Sequence, residues 1–209
     1  MKKSLFSVGF MLILPALLSA ITPDKIMDDV EKKMNSKKTI HIQFQQSYVW
    51  ELTGETSSIE GDLKLDGEEK FRITTPDQVI VSNGKKMWTY SIEANRVLVD
   101  QIGASSDALL PKQIFFHYRN DYLQTMGEDE IVEGHTCYVV RFSSQSGDEY
   151  FPQIRIWVDK DESVPRQIEQ TDINDNRTIY TFKQILFDVS LPKDTFNFTP
   201  PGTAEVIEL

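Results

Sequence analysis

The chain has 209 residues, 40% hydrophobic and 26% charged, which is enough for one sizeable core and unlike a fibrous, low-complexity or disordered sequence. Its formal net charge of −10 argues against nucleic acid as a partner and against electrostatic attachment to anionic head groups. The single cysteine, Cys137, rules out an internal disulfide and, in the apolar run Cys137-Tyr138-Val139-Val140, reads as a buried small hydrophobe.

Residues 1–20 stand apart. Met1-Lys2-Lys3 is basic, Leu5 to Leu18 is nearly all apolar, and Leu18-Ser19-Ala20 ends on a small residue. The pattern is that of a secretory signal cleaved near Ala20, too short and wrongly flanked for a membrane span. Its removal takes away two lysines and no acids, so the mature charge becomes −12. Ile21 follows the cleavage point where an acylated lipoprotein would carry Cys, so the mature protein is expected to be unacylated and exported. Residues 21–209 are read as a single domain.

Thr22-Pro23-Asp24 signals a helix start: a capping hydroxyl, Pro at the first helical position and an acid in the first turn. Ile26, Val30 and Met34 then recur every four residues, a narrow stripe that needs an apolar bed to persist. Ile40, Ile42, Phe44, Tyr48, Trp50 and Leu52 occupy even positions among polar neighbours, the pattern of a long strand with one wet face. From Gly61 the chain reads as a meander. Leu63-Lys64-Leu65 and Phe71-Arg72-Ile73 alternate, and Val79-Ile80-Val81 leads into Asn83-Gly84, a pair that favours a type I′ hairpin before Met87, Trp88 and Tyr90. Arg96 to Gln101 gives another strand. Ser105 to Tyr118, interrupted by Pro111, reads as a loop with one or two short helices, either packed on the sheet or a movable lid. Strands resume at Ile131 and continue through 138–142, 153–158, 166–171 and 178–182, with turns at Asp159-Lys160-Asp161 and Asn174-Asp175-Asn176. Turn signals every 8–12 residues give roughly eleven strands in a sandwich or barrel.

Catalytic and metal chemistry has little to stand on. His41, His117 and His135 are scattered without a second ligand at metal spacing, and no nucleophile-elbow, phosphate-loop or His-Glu-x-x-His motif occurs. Asp159-Lys160-Asp161-Glu162 begins like a calcium loop but lacks the glycine and reads as a hairpin turn. The chain is read as a non-enzyme without cofactor or metal. What remains is apolar surface arranged by period. Alternation sends Phe71 and Ile73 to one face and Arg72 to the other, so Phe71 and Ile73 are expected on the oily face with Ile42, Phe44, Leu63 and Leu65.

The order Gly61-Asp62-Leu63-Lys64-Leu65, Phe71-Arg72-Ile73, Pro76, Val81-Ser82-Asn83-Gly84-Lys85-Lys86-Met87-Trp88-Thr89-Tyr90 and, near the end, Phe196-Asn197-Phe198-Thr199-Pro200-Pro201-Gly202 resembles the periplasmic outer-membrane lipoprotein carriers, the LolA-like proteins. The resemblance implies a mainly β (α+β) fold, an unclosed antiparallel β-barrel with short helices as a lid over its concave face. It also implies a periplasmic carrier of lipoprotein acyl chains. The partners implied are acylated lipoproteins, an inner-membrane ABC-type releasing complex and an anchored outer-membrane acceptor, with the carrier a monomer. The expected cavity comprises the six residues above with Val79, Val81, Trp88, Tyr90, Ile156, Tyr180 and Phe182, and the lid Ile26, Val30, Leu110, Ile114 and Phe115. An aromatic pair just past a tight turn, such as Trp88/Tyr90, is usually sheet core, and that reading stands beside the cavity one. A binding or sensory module for another hydrophobic ligand is the alternative function, and a secreted hydrolase a more remote one. Gly67-Glu68 stands where many members have Arg-Pro, an arginine that the resemblance casts as the lid's latch.

Overall fold

The computed structural model describes residues 21–102, 121–147 and 149–209; residues 1–20, read above as a signal segment, and the expected lid residues Leu110, Ile114 and Phe115 lie outside them. Helix α1 (Pro23–Asn35) precedes β1 (Thr39–Val49), β2 (Thr56–Asp66), β3 (Lys70–Thr74), β4 (Gln78–Asn83), β5 (Lys86–Ser91), β6 (Arg96–Gln101) and β7 (Tyr122–Met126). Then come β8 (Glu130–Val132), β9 (His135–Ser144), β10 (Gln153–Asp159), β11 (Pro165–Thr171), β12 (Arg177–Phe187) and β13 (Glu205–Glu208). The strands form one sheet in the order β13-β6-β5-β4-β3-β2-β1-β12-β11-β10-β9-β7, with β8 hung on β9. The sheet curls into an unclosed barrel whose ends are β13 and β7. All the pairings are antiparallel except β13 with β6, which is parallel.

β7 and β13 exceed the expected count. In β7 only Tyr122 is buried, and β13 is the four-residue Glu-Val-Ile-Glu, so neither carries a strong period. The long first strand ends sooner than its even-position pattern predicts. Trp50 donates its N–H to the Glu55 carbonyl at 2.9 Å and accepts from Gly54 at 2.8 Å, so Trp50 and Leu52 belong to a tight turn, with Leu52 95% exposed. The Asn83-Gly84 hairpin forms, but not as type I′: Gly84 has φ +88° while Asn83 stays out of the left-handed region. Instead the Asn83 amide oxygen accepts from the N–H groups of Lys85 and Lys86, both at 2.9 Å.

α1 is built as its sequence requires. Thr22 caps it, its hydroxyl accepting from Lys25 N–H at 3.3 Å, and Lys32 and Lys33 lie in the last turn, where the helix dipole favours cations. Ile26, Met27, Val30 and Met34, each at most 2% exposed, seat on the concave face of the sheet. That face contributes Ile40, Ile42, Leu63, Leu65, Phe142, Ile154, Ile156 and Ile168 to the same core. α1 thus reaches from β1 and β2 to the far limb of the barrel, where the Gln124 amide donates to Asp24 at 3.3 Å.

Two sequence details fix this geometry. Gly61 faces Phe44 across β1 and β2, and a Cβ added there would lie 2.2 Å from the Phe44 ring. The glycine of Gly-x-Leu-x-Leu is therefore a recess for an aromatic ring. On the convex face Asp159, 2% exposed, organises the β10–β11 turn: it accepts from Arg166 Nε at 2.9 Å and from the N–H groups of Asp161 and Glu162 at 2.9 and 3.1 Å, with His135 Nδ1 at 2.7 Å. Desolvation alone would raise its pKa, but these donors outweigh it and hold the carboxyl below the usual carboxylate range.

Gly61→Ala is expected to destabilise the fold by about 2 kcal/mol through overpacking against Phe44, and by clearly less in a Phe44→Leu background. Chemical denaturation of the four proteins in this cycle checks it, and equal costs in both backgrounds contradict it. Asp159 carries a second expectation. Its folded pKa is depressed, so its stabilisation is present above the unfolded value near ~3.9 and is lost as pH falls through the folded value. Asp159→Asn should cost about 2–3 kcal/mol at neutral pH and leave a shallower decline in stability below about pH 4. Unfolding measured across pH reads both quantities.

Candidate functional site

Strand register sorts the expected cavity residues into two groups. One row crosses the concave face from Ile42 through Leu63, Ile73, Ile80 and Thr89 to Leu98. A neighbouring row runs Ile40, Leu65, Phe71, Ser82, Met87. Across the other limb, Tyr180, Ile168, Ile156, Val140 and Met126 lie in register. Ile42, Phe44, Leu63, Leu65, Phe71, Ile73, Ile156, Tyr180 and Phe182 accordingly share the concave face and one core cluster with α1. Burial of Tyr180 raises its hydroxyl pKa.

Val79, Val81, Trp88 and Tyr90 face the other way. Val81 is opposite Arg72 and Trp88, Val79 opposite Tyr90, and Trp88 and Tyr90 are opposite Val99 and Val97. This convex layer is covered by the C-terminal segment. The Phe198 ring lies 6.4 Å from that of Trp88 and 6.1 Å from that of Tyr90, and Arg72 Nη1 donates to the Thr195 carbonyl at 3.4 Å. The structure therefore corrects their placement in the cavity. The cause is physical: β4 and β5 are apolar on both faces, so Val79-Ile80-Val81 is apolar at consecutive positions and alternation cannot choose between them. The register could have been carried over from Phe71 and Ile73. The turn closed by Thr75 N–H to the Gln78 carbonyl at 2.9 Å sets Ile73 against Ile80, which makes Ile80, Met87 and Leu98 the concave residues that alternation in β4 and β5 left unnamed.

Cover on the concave face is uneven. Leu63 is 7% exposed, Ile73, Ile80 and Met87 are half-buried, and Leu98 on β6 is 36% exposed. α1 fills the limb formed by β1, β2 and β9–β12. The β3–β6 limb beyond Phe71 is less covered, with Ile73, Ile80 and Met87 packed against the core but only half-buried. Of the expected lid, Ile26 and Val30 are fully seated, together with Met27, which falls outside the four-residue repeat and was not expected. Phe71, at 3% exposed, is closed core under this cover rather than open wall.

Gly67 has φ +71° in the β2–β3 turn, and its N–H donates at 3.0 Å to the carbonyl of Lys38, just beyond α1. An arginine there would be strained. A backbone hydrogen bond in that turn ties it to the exit of α1. Among the described residues no group of three His, Cys, Asp or Glu is placed to hold a metal, and no helix is long and apolar enough to cross a membrane. Cys137 is buried, and burial pushes its thiol up to about 11, which keeps it protonated and unreactive at neutral pH.

Comparison with known proteins agrees with this geometry. The family model for the outer membrane lipoprotein carrier protein LolA matches residues 35–199. The outer-membrane lipoprotein carrier protein of Dechloromonas aromatica is 25% identical over 199 residues, covering 92% of each chain. That of Legionella pneumophila (strain Lens) is 26% identical over 187 residues, 86% of this chain and 88% of the relative. An uncharacterized protein of Methanocaldococcus jannaschii is 24% identical over 209 residues, 96% of this chain, which spans only 59% of that longer protein. Among solved structures, an uncharacterized conserved protein from Thermus thermophilus shares the fold with a TM-score of 0.61 at 12% identity, over 89% of this chain and 98% of that one.

The division into two faces gives a direct expectation. Phe198→Ala should uncover Trp88, shifting tryptophan emission to the red and lowering stability by about 1–2 kcal/mol, since the ring is only half-buried. Emission unchanged from the wild type in a folded variant would contradict the convex cover.

Proposed function

The chain belongs to the outer membrane lipoprotein carrier family, and from that premise we propose that it is a non-enzymatic periplasmic carrier whose concave face receives the acyl chains of lipoproteins. On this reading it takes cargo released from the inner membrane by an ABC-type complex and yields it to an outer-membrane acceptor, with residues 21–209 acting as one carrier domain. The observation that carries the reading is the graded cover of the concave face, sealed under α1 and half open over Ile73, Ile80, Met87 and Leu98.

The energetics suit a carrier. Seating four α1 side chains contributes about 6–12 kcal/mol, and sheltering one sixteen-carbon chain on the order of 12 kcal/mol. The two are comparable, so a lipid can compete with the helix for the same bed without binding irreversibly. Entry begins on the open β3–β6 floor and advances beneath α1, whose seat is apolar and thus indifferent to salt.

Ile80 tests the site better than Phe71, because Phe71 is closed core and a charge there would unfold the chain. Ile80→Glu is expected to leave the fold intact by circular dichroism, to lower uptake of a lipophilic fluorescent probe at least ~10-fold, and to abolish lipoprotein capture. Native mass spectrometry of the protein from its host periplasm should show a triacylated polypeptide bound. A free lipid alone would instead favour a general hydrophobic-ligand module, and undiminished probe uptake by Ile80→Glu would remove the site from this face.

A further inference from the structure

The two ends of the sheet differ in chemistry. At the end where β1 turns into β2 and β11 into β12, two neighbouring hairpin tips carry large apolar side chains in solvent. Leu52 is 95% exposed, Ile173 63% and Trp50 41%. The tips belong to adjacent strands, since β1 pairs with β12, and they are tied together: Glu51 N–H donates to the Asn176 side-chain oxygen at 3.1 Å. Behind Leu52 the rings of Trp50 and Tyr48 meet edge to face at 4.5 Å. The scaffold beneath is rigid. Asp172, 5% exposed, accepts from the N–H groups of Asn174 and Asn176 at 2.8 and 2.9 Å and from the Asn176 side chain at 3.1 Å, and this holds Ile173 outward on a fixed loop.

We propose that this paired tip is a bilayer-docking element, which inserts Leu52 and Ile173 among the acyl chains of a membrane surface with Trp50 and Tyr48 at head-group depth. Three observations select a bilayer over a protein partner. The aliphatic residues are at the apex of convex turns, a shape that a fluid interface accepts without a matching pocket. Trp and Tyr, amphipathic rings that settle at the membrane–water boundary, stand behind them rather than beside them. The charged groups around the tips are mixed, Glu51, Glu55, Asp172 and Asp175 with Arg141, Arg155 and Arg177, and the chain's net charge is −10, so attraction to anionic head groups is not the driving force. Docking is thus hydrophobic and shallow, and it prefers zwitterionic surfaces. None of these tip residues belongs to the core cluster of the concave face.

The test uses the mature protein and vesicles of phosphatidylcholine, alone or with phosphatidylglycerol. Cosedimentation with phosphatidylcholine vesicles should be little affected by salt, whereas binding to the mixed vesicles should be weaker at low salt and recover as salt screens the repulsion. Brominated lipid should quench Trp50, and Trp50→Phe should remove that quenching while Trp88 and Trp157 remain unaffected by it. Leu52→Glu/Ile173→Glu, which changes only exposed side chains, should reduce partitioning about tenfold or more. That variant should keep the wild-type probe uptake on the concave face, which separates failure of this proposal from failure of the carrier reading. Absence of vesicle binding by the wild type, equal binding by the double variant, or a cross-link from position 52 to a protein without any vesicle affinity would each overturn it.

Discussion

The structure depends on one constraint: an open, curled sheet with apolar residues on both faces must have both covered by segments outside it. The concave cover is α1, seated through four side chains that are almost inaccessible to solvent. The convex cover of the β3–β6 limb is the segment around Phe198, whose ring lies over Trp88 and Tyr90. A closed barrel would enclose its lining permanently, and a two-sheet sandwich would bury it against itself. Here each cover is a short local segment, α1 before β1 and the Phe198 segment between β12 and β13.

That division also explains how much was legible in the sequence. Where one face of a strand is wet, as in β1–β3, alternation grouped Ile42, Phe44, Leu63, Leu65, Phe71 and Ile73, and the register sets all six on one face. Where both faces are apolar the period vanishes, and the register sets Trp88 and Tyr90 on the convex side. β7 and β13 escaped notice because an edge strand half in water has little need of a pattern. The turn at Asn83-Gly84 was legible in position but not in type, since the asparagine side chain satisfied the loop's N–H groups in place of a left-handed backbone. Met27 was missed because a helix lying in a concave bed buries a wider arc than a four-residue repeat shows.

Family membership sharpens the meaning of Gly67. The position that the resemblance assigns to a latching arginine is here a left-handed turn whose backbone bonds directly to Lys38, just beyond α1. That hydrogen bond holds the exit of the helix, while at its entrance Asp24 accepts from the Gln124 amide of β7. The helix is therefore tied at both ends, by a backbone bond at its exit and a side-chain bond at its entrance.

The parallel pairing of β13 with β6 has a consequence for how the molecule is made. The register Glu205–Arg96 to Glu208–Val99 joins segments far apart in the chain, so it forms only once residues 205–208 have been synthesised. Until then the β6 edge offers a row of unpaired N–H and C=O groups beside an apolar floor, the combination from which intermolecular sheets grow. β13 covers the β6 edge only after residues 205–208 have been made, and it then becomes the edge of the sheet itself.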